Sequence, residues 1–164
     1  MSTAITLTPG APAPAWRGAA LTPQGPAALS GEALRGAPYV LYFYPKDDTP
    51  GCTAQACDFR DSWAAWRARG YRVVGVSPDS LESHESFRAR HDLPHDLVSD
   101  PSREVCEAWG VWREKQNYGK TYLGLARSTF VVSAEGVVLH AQYNVKATGH
   151  VARLLKLLGA EGGR

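Results

Sequence analysis

The chain reads as an α/β protein, a central mixed β-sheet flanked by helices. Three observations predict this. Tyr39–Tyr44 and Tyr71–Ser77 are short buried-type runs, the pattern of strands covered on both faces. Segments with apolar residues at helical spacing alternate with such runs. A turn signal at Ala134-Glu135-Gly136 lies between Ser128–Ser133 and Val137–Tyr143, which predicts an antiparallel hairpin and hence a mixed sheet.

Residues 1–37 are rich in Pro, Gly and Ala with only short apolar pieces, and read as an extension with one or two short strands. The whole of 1–164 is expected to be a single domain. Tyr39–Tyr44 is the first buried strand. A helix comes next, from Pro50 to Arg69, with Ala56, Phe59, Trp63 and Trp66 as its buried stripe and Gly70 as its stop. The strand Tyr71–Ser77 ends at Pro78. A helix over Ser80–His91 and a short strand at Leu97–Ser99 succeed it. Asp100-Pro101 then opens another helix as cap and first-turn proline. After the hairpin, a last helix starts near Thr148, buries Val151, Leu154, Leu155 and Leu158, and ends at Gly159.

Bulk properties narrow the function. A chain of 164 residues suits one domain with a substantial core, and 44% hydrophobic with 21% charged residues suits a water-soluble one. The net charge is +2, and Lys and Arg are scattered, which argues against nucleic acid. The start, MSTAITLTPGAPAPAW, lacks the basic and apolar regions of a secretion signal. No run approaches the ~18 apolar residues of a membrane span. The expected location is the cytoplasm. With 3 cysteines a disulfide-stapled scaffold is not expected, and closely spaced thiols point to catalysis or metal.

The chemistry concentrates in FYPKDDTPGCTAQACDFRD, Phe43–Asp61. Thr49 suits a helix N-cap and Pro50 the first helical position, so Cys52 falls in the first turn. Unpaired backbone N–H groups and the positive helix end stabilise an anion there, and the thiolate is the reactive form of cysteine. Cys57 lies five residues on, close enough in sequence to trap an oxidised Cys52. Five residues of intact helix separate two side chains by ~7.5 Å along the axis and turn them to different faces. A disulfide needs Cα atoms within about 6.8 Å. The pair therefore bonds only after local unwinding. Lowering a thiol pKa raises the thiolate fraction but weakens the nucleophile, so ionisation alone gives only a few-fold gain. Fast chemistry needs donors aimed at charge developing on the substrate.

This stretch resembles the active-site segment of the peroxiredoxins, in particular the bacterioferritin-comigratory-protein (PrxQ) subfamily. Pro45, Thr49 and Cys52 match the Pro-x-x-x-Thr/Ser-x-x-Cys pattern, and Cys57 matches the subfamily's second cysteine. Tyr118–Val132 (YGKTYLGLARSTFVV) and Asp100–Trp112 (DPSREVCEAWGVW) are also similar, with Arg127 at the position of an active-site arginine. Several members carry Glu where this chain has Gln55.

The resemblance implies a thioredoxin-like fold and a thiol peroxidase acting on hydrogen peroxide and organic hydroperoxides. Cys52 would attack the peroxide and Cys57 resolve the sulfenic acid as an intrachain disulfide. Thr49 and Arg127 would orient the O–O bond, with the backbone N–H groups of Gly51 and Cys52 assisting and Pro45 packed over the sulfur. Thioredoxin or a similar dithiol would recycle the pair, without metal, haem, flavin or nucleotide. A monomer is expected, with a dimer as the alternative. Two rival functions use the same cysteines: a thiol–disulfide oxidoreductase and a non-catalytic redox sensor. Cys106, between Val105 and the apolar Ala108, reads as a small buried hydrophobe, with a backup or intermolecular thiol as the alternative. His91 and His95 have metal-like spacing, but Pro94 between them disturbs any shared helix.

Overall fold

The structure is a computed structural model that describes residues 4–162. It is a mixed α/β sandwich, as the sequence predicts. A seven-stranded sheet is built from β1 (Arg17–Thr22), β2 (Gly25–Ser30), β3 (Tyr39–Phe43), β4 (Arg72–Ser77), β5 (Asp96–Ser99), β8 (Ser128–Val132) and β9 (Val138–Gln142). Their spatial order is β2-β1-β5-β4-β3-β8-β9. Strands β3, β4 and β5 run parallel at the centre, and β1 and β8 flank them antiparallel. The parallel strands are buried along nearly their whole length, which is why they lack polar alternation.

Alternate residues of β3 divide the core in two. Leu41 and Phe43 pack with Val105, Cys106, Trp109 and Phe130 on one face. Val40, Tyr42 and Tyr44 pack with Cys52, Phe59, Trp66, Phe87 and Leu154 on the other. The second face is covered by α1 (Pro50–Asp61), α2 (Trp63–Ala68), α3 (Leu81–His91) and α5 (His150–Gly162), and the first by α4 (Glu104–Ala108). Among the described residues no helix is long and apolar enough to cross a membrane.

The leading segment forms the two short strands expected of it, and it is woven into the molecule: β1 joins β5, and Pro12 bridges Val137 beside β9. Three details depart from the sequence reading. The single helix expected over 50–69 is two helices. Ser62 separates them: its hydroxyl donates to the Asp58 carbonyl at 2.7 Å and accepts from Trp66 Nε1 at 3.1 Å. That competition with the helical ladder bends the chain. Trp63, just past the bend, is only partly buried. Asp100 does not cap a helix that begins at Pro101; a turn intervenes, Arg103 is left-handed, and α4 starts at Glu104. The Asp100 carboxylate reaches over that turn to accept from Val105 and Cys106 N–H groups at 3.1 and 2.9 Å. Finally, α5 runs past Gly159 to Gly162, because Gly159 keeps helical backbone there.

A second, two-stranded sheet of β6 (Trp112–Asn117) and β7 (Lys120–Leu125) is not anticipated from the sequence pattern. Its two-residue turn, Tyr118-Gly119, has both residues at positive φ (52° and 77°), the mirror-type turn that suits tight hairpins.

Candidate active site

Cys52 sits where β3 hands over to α1. Thr49 is the N-cap in extended conformation and Pro50 the first helical residue, as predicted. The capping bond itself is absent: the Thr49 hydroxyl donates instead to the Lys46 carbonyl at 2.9 Å. Cys52 is 1% exposed and faces the sheet, while Cys57, on the same continuous helix, is half-buried. Both thiols are free, as is Cys106. Pro45 is exposed.

Arg127 comes from the far end of the chain, between β7 and β8. Its backbone is closely held. The carbonyl accepts from Val145 N–H at 2.8 Å, and the preceding Ala126 N–H donates to the Val111 carbonyl at 2.8 Å. The side chain crosses to α1, placing Nη2 3.4 Å from Cys52 Sγ and donating from Nη1 to Gln55 Oε1 at 2.7 Å. Gln55 is fully buried one turn beyond Cys52, so the amide holds the guanidinium from the same helix that carries the thiol. Gly51 leaves room for this approach. A Cβ there would lie 3.1 Å from Arg127 Nη2 and 3.6 Å from the Ala147 methyl. The structure thus brings Thr49, Gly51, Cys52, Gln55 and Arg127 to one end of the central strands.

The surroundings set the charge states. Burial, and then the nearby Cys52, push the Tyr42 phenol well above its usual range, so it stays protonated beneath the site. It shares a 2.7 Å hydrogen bond with His95 Nε2. Burial, then Arg88, lower the His95 pKa to about 3, so that ring is neutral. Burial raises the Cys57 thiol despite the counteracting Arg60. Burial and Asp100 drive the Cys106 thiol far up. Cys106 also lies on the opposite face of the sheet from Cys52. His91 pairs with Asp48 and His95 with Tyr42, so the two imidazoles serve different partners. Among the described residues no group of three potential metal ligands converges.

A thioredoxin-like sheet carrying a buried cysteine in a helical first turn, under an arginine, defines a thiol peroxidase. The chain belongs to the AhpC/TSA family, whose model matches residues 9–141. Within it the chain is a peroxiredoxin of the bacterioferritin-comigratory-protein (PrxQ) type. It is 50% identical over 154 residues to a putative peroxiredoxin of Mycobacterium tuberculosis, covering 94% of this chain and 96% of that one. It is 47% identical over 124 residues to peroxiredoxin Bcp of Bacillus subtilis, covering 76% and 79%. Among solved structures, Xanthomonas campestris bacterioferritin comigratory protein, studied for alkyl peroxide reduction, superposes with a TM-score of 0.80 at 37% identity, covering 97% and 99%. The chain is therefore a peroxidase enzyme, with a peroxide as substrate and a thiol as reductant.

Proposed function

We propose that Cys52 is the peroxidatic residue and Cys57 the resolving one of an atypical two-cysteine cycle. The observation that carries this is the Arg127 guanidinium 3.4 Å from the Cys52 sulfur in the first turn of α1. The Cys52 thiolate attacks one peroxide oxygen, the O–O bond breaks, and the other oxygen leaves as alkoxide or hydroxide and takes up a proton. Cys52 becomes a sulfenic acid. Cys57 condenses with it, forming the S–S bond and releasing water. A dithiol then reduces the disulfide and is itself oxidised. Thioredoxin is the proposed donor, on the strength of the family likeness. The protein is proposed to act as a cytoplasmic monomer.

The residues around the sulfur divide the work. Arg127 donates to the charge that develops on the peroxide, where a fixed donor in a water-poor site acts most strongly. The Thr49 proton is committed to the Lys46 carbonyl. Its lone pairs therefore remain to accept the O–H of the bound peroxide. Gly51 and Cys52 offer first-turn backbone N–H groups. Pro45 limits water at the mouth. Cys57 stays a thiol while α1 is intact, since burial raises it, and so does not compete for peroxide. Release from the helix removes that penalty when Cys57 is needed.

Turnover with thioredoxin and its reductase tests the cycle. Cys57→Ser should consume one equivalent of peroxide and leave a Cys52 sulfenic acid that dimedone traps, with thioredoxin-dependent recycling lost. Continued recycling in that variant would remove Cys57 from the cycle. Wild-type protein that oxidises once and is not recycled by any dithiol would favour a sensor. Disulfide exchange faster than peroxide reduction would favour an oxidoreductase.

A further inference from the structure

Two carboxylates precede the Cys52 helix, and α3 grips both. Asp47 Oδ2 lies 2.7 Å from His84 Nδ1, and Asp48 Oδ1 lies 2.9 Å from His91 Nε2. His84 and His91 are seven residues apart, about two helical turns, and so share a face of α3. Arg90 adds a 3.3 Å contact to Asp48 Oδ2.

The Asp47–His84 pair is buried and densely bonded. The Tyr44 hydroxyl donates to Asp47 Oδ1 at 2.6 Å, and the Ser83 hydroxyl to Oδ2 at 2.8 Å. His84 Nε2 lies 3.0 Å from the Val98 carbonyl. A carbonyl only accepts, so Nε2 carries a hydrogen. The Asp47 backbone N–H donates to Asp79 Oδ2 at 2.8 Å, and the Ser77 hydroxyl holds that same oxygen at 2.7 Å. Asp47 is thereby tied to α3 and to the ends of β4 and β5. None of these bonds involves Cys52 or Arg127. Buried polar groups this fully satisfied fix one local geometry, and removing a partner exposes the desolvation cost of the other.

The geometry they fix is that of Thr49. The carbonyl that locks the Thr49 hydroxyl belongs to Lys46, the residue directly before Asp47. Between them the chain reverses through Asp48, whose φ of 62° is left-handed and disfavoured for a residue other than glycine. Such a conformation persists only when its surroundings over-determine it. Here those surroundings are His91 and Arg90 on Asp48 and His84 on Asp47.

We propose that Asp47 and His84 form a positioning pair for the peroxide step. They set the Lys46 carbonyl against which Thr49 is held, and so aim the Thr49 lone pairs at the substrate. The anchors lie on α3, β4 and β5, outside α1, so the Thr49 loop keeps its shape while the Cys52 turn melts and reforms. This rests on the reading that Thr49 orients the peroxide.

A double-mutant cycle tests it. Single-turnover oxidation of Cys52 by hydrogen peroxide is compared in wild type, His84→Gln, Thr49→Val and the double variant, with Cys52 alkylation by a neutral reagent as control. His84→Gln should slow oxidation about tenfold with Thr49 present but less than about twofold in the Thr49→Val background. Alkylation should change less than about twofold, because it does not need an oriented O–O bond. Asp47→Asn, which preserves shape, should reproduce the pattern and carries the test if His84→Gln does not fold. Equal losses with and without Thr49, or a parallel loss in alkylation, would overturn the positioning role while leaving Thr49 in place. A Thr49→Val protein with the wild-type rate would instead overturn the role of Thr49 itself.

Discussion

Replacing Cys52 by serine should abolish peroxide turnover. The serine hydroxyl would occupy the same buried first turn under Arg127, but an alcohol there stays un-ionised near neutral pH, and the attack needs an anion. No other thiol can substitute. Cys57 projects from a different side of α1, and burial raises its pKa. Cys106 lies across the sheet with its thiol driven far up by burial and Asp100. The expected rate is therefore that of peroxide in buffer. It is measured as peroxide loss with thioredoxin and its reductase, on protein shown to be folded by its thermal transition. Turnover well above that background would remove Cys52 from the first step.

Arg127→Ala is the second large effect. The guanidinium holds two positions at once, one N–H toward the Cys52 sulfur and one on Gln55. Alanine would remove the donor proposed to meet the developing charge, with an expected loss of about 2.7–4 kcal/mol or roughly 100- to 1,000-fold in rate. It also strands the buried Gln55 carbonyl oxygen, an additional destabilising term. Arg127→Lys keeps a charge but not the planar fork, so it should recover only part of the loss. Alkylation of Cys52 by a neutral reagent separates the two contributions of Arg127. If it stabilises the transition state of peroxide cleavage, alkylation falls much less than peroxide reduction. Equal losses would mean that Arg127 acts only on the thiolate.

The parts legible in the sequence are those where neighbouring residues carry the signal. β3 and β4 read as strands because burial on both faces leaves their runs nearly free of polar residues. The first turn of α1 reads from Thr49-Pro50-Gly51, three adjacent residues with local backbone preferences. The β6–β7 hairpin gives no such run. Arg113, Glu114, Lys115 and Gln116 lie in a separate two-stranded ribbon, so its first strand lacks the apolar run of the main-sheet strands. The break at Ser62 is hidden because Phe59 and Trp66 keep helical spacing across it while the Ser62 hydroxyl turns back on the helix. Distance in sequence limits the site in the same way. Arg127, 75 residues from Cys52, is reached through resemblance, not spacing. Gln55 is visible as a departure from the family pattern, but its grip on Arg127 is a tertiary fact. His84 and Asp47, 37 residues apart, carry no pattern that pairs them.

Joining Cys52 to Cys57 requires the early turns of α1 to open, and hydrogen exchange tests that requirement most directly. The segment to be released holds mostly small side chains, with only Cys52, Gln55 and Ala56 buried, and its opening also releases the Gln55 bond to Arg127. Phe59 and, beyond the Ser62 bend, Trp66 anchor the end of α1 and the whole of α2. The melting cost is therefore local. Protein treated with one equivalent of hydrogen peroxide is compared with reduced protein, and the disulfide is mapped in the same digest. A Cys52–Cys57 disulfide is predicted, with amides from Cys52 to Asp58 losing protection and those from Trp63 to Arg67 keeping more of theirs. A verified Cys52–Cys57 disulfide with unchanged protection over Cys52–Asp58, or an oxidised protein linked instead through Cys106 or between chains, would contradict the account.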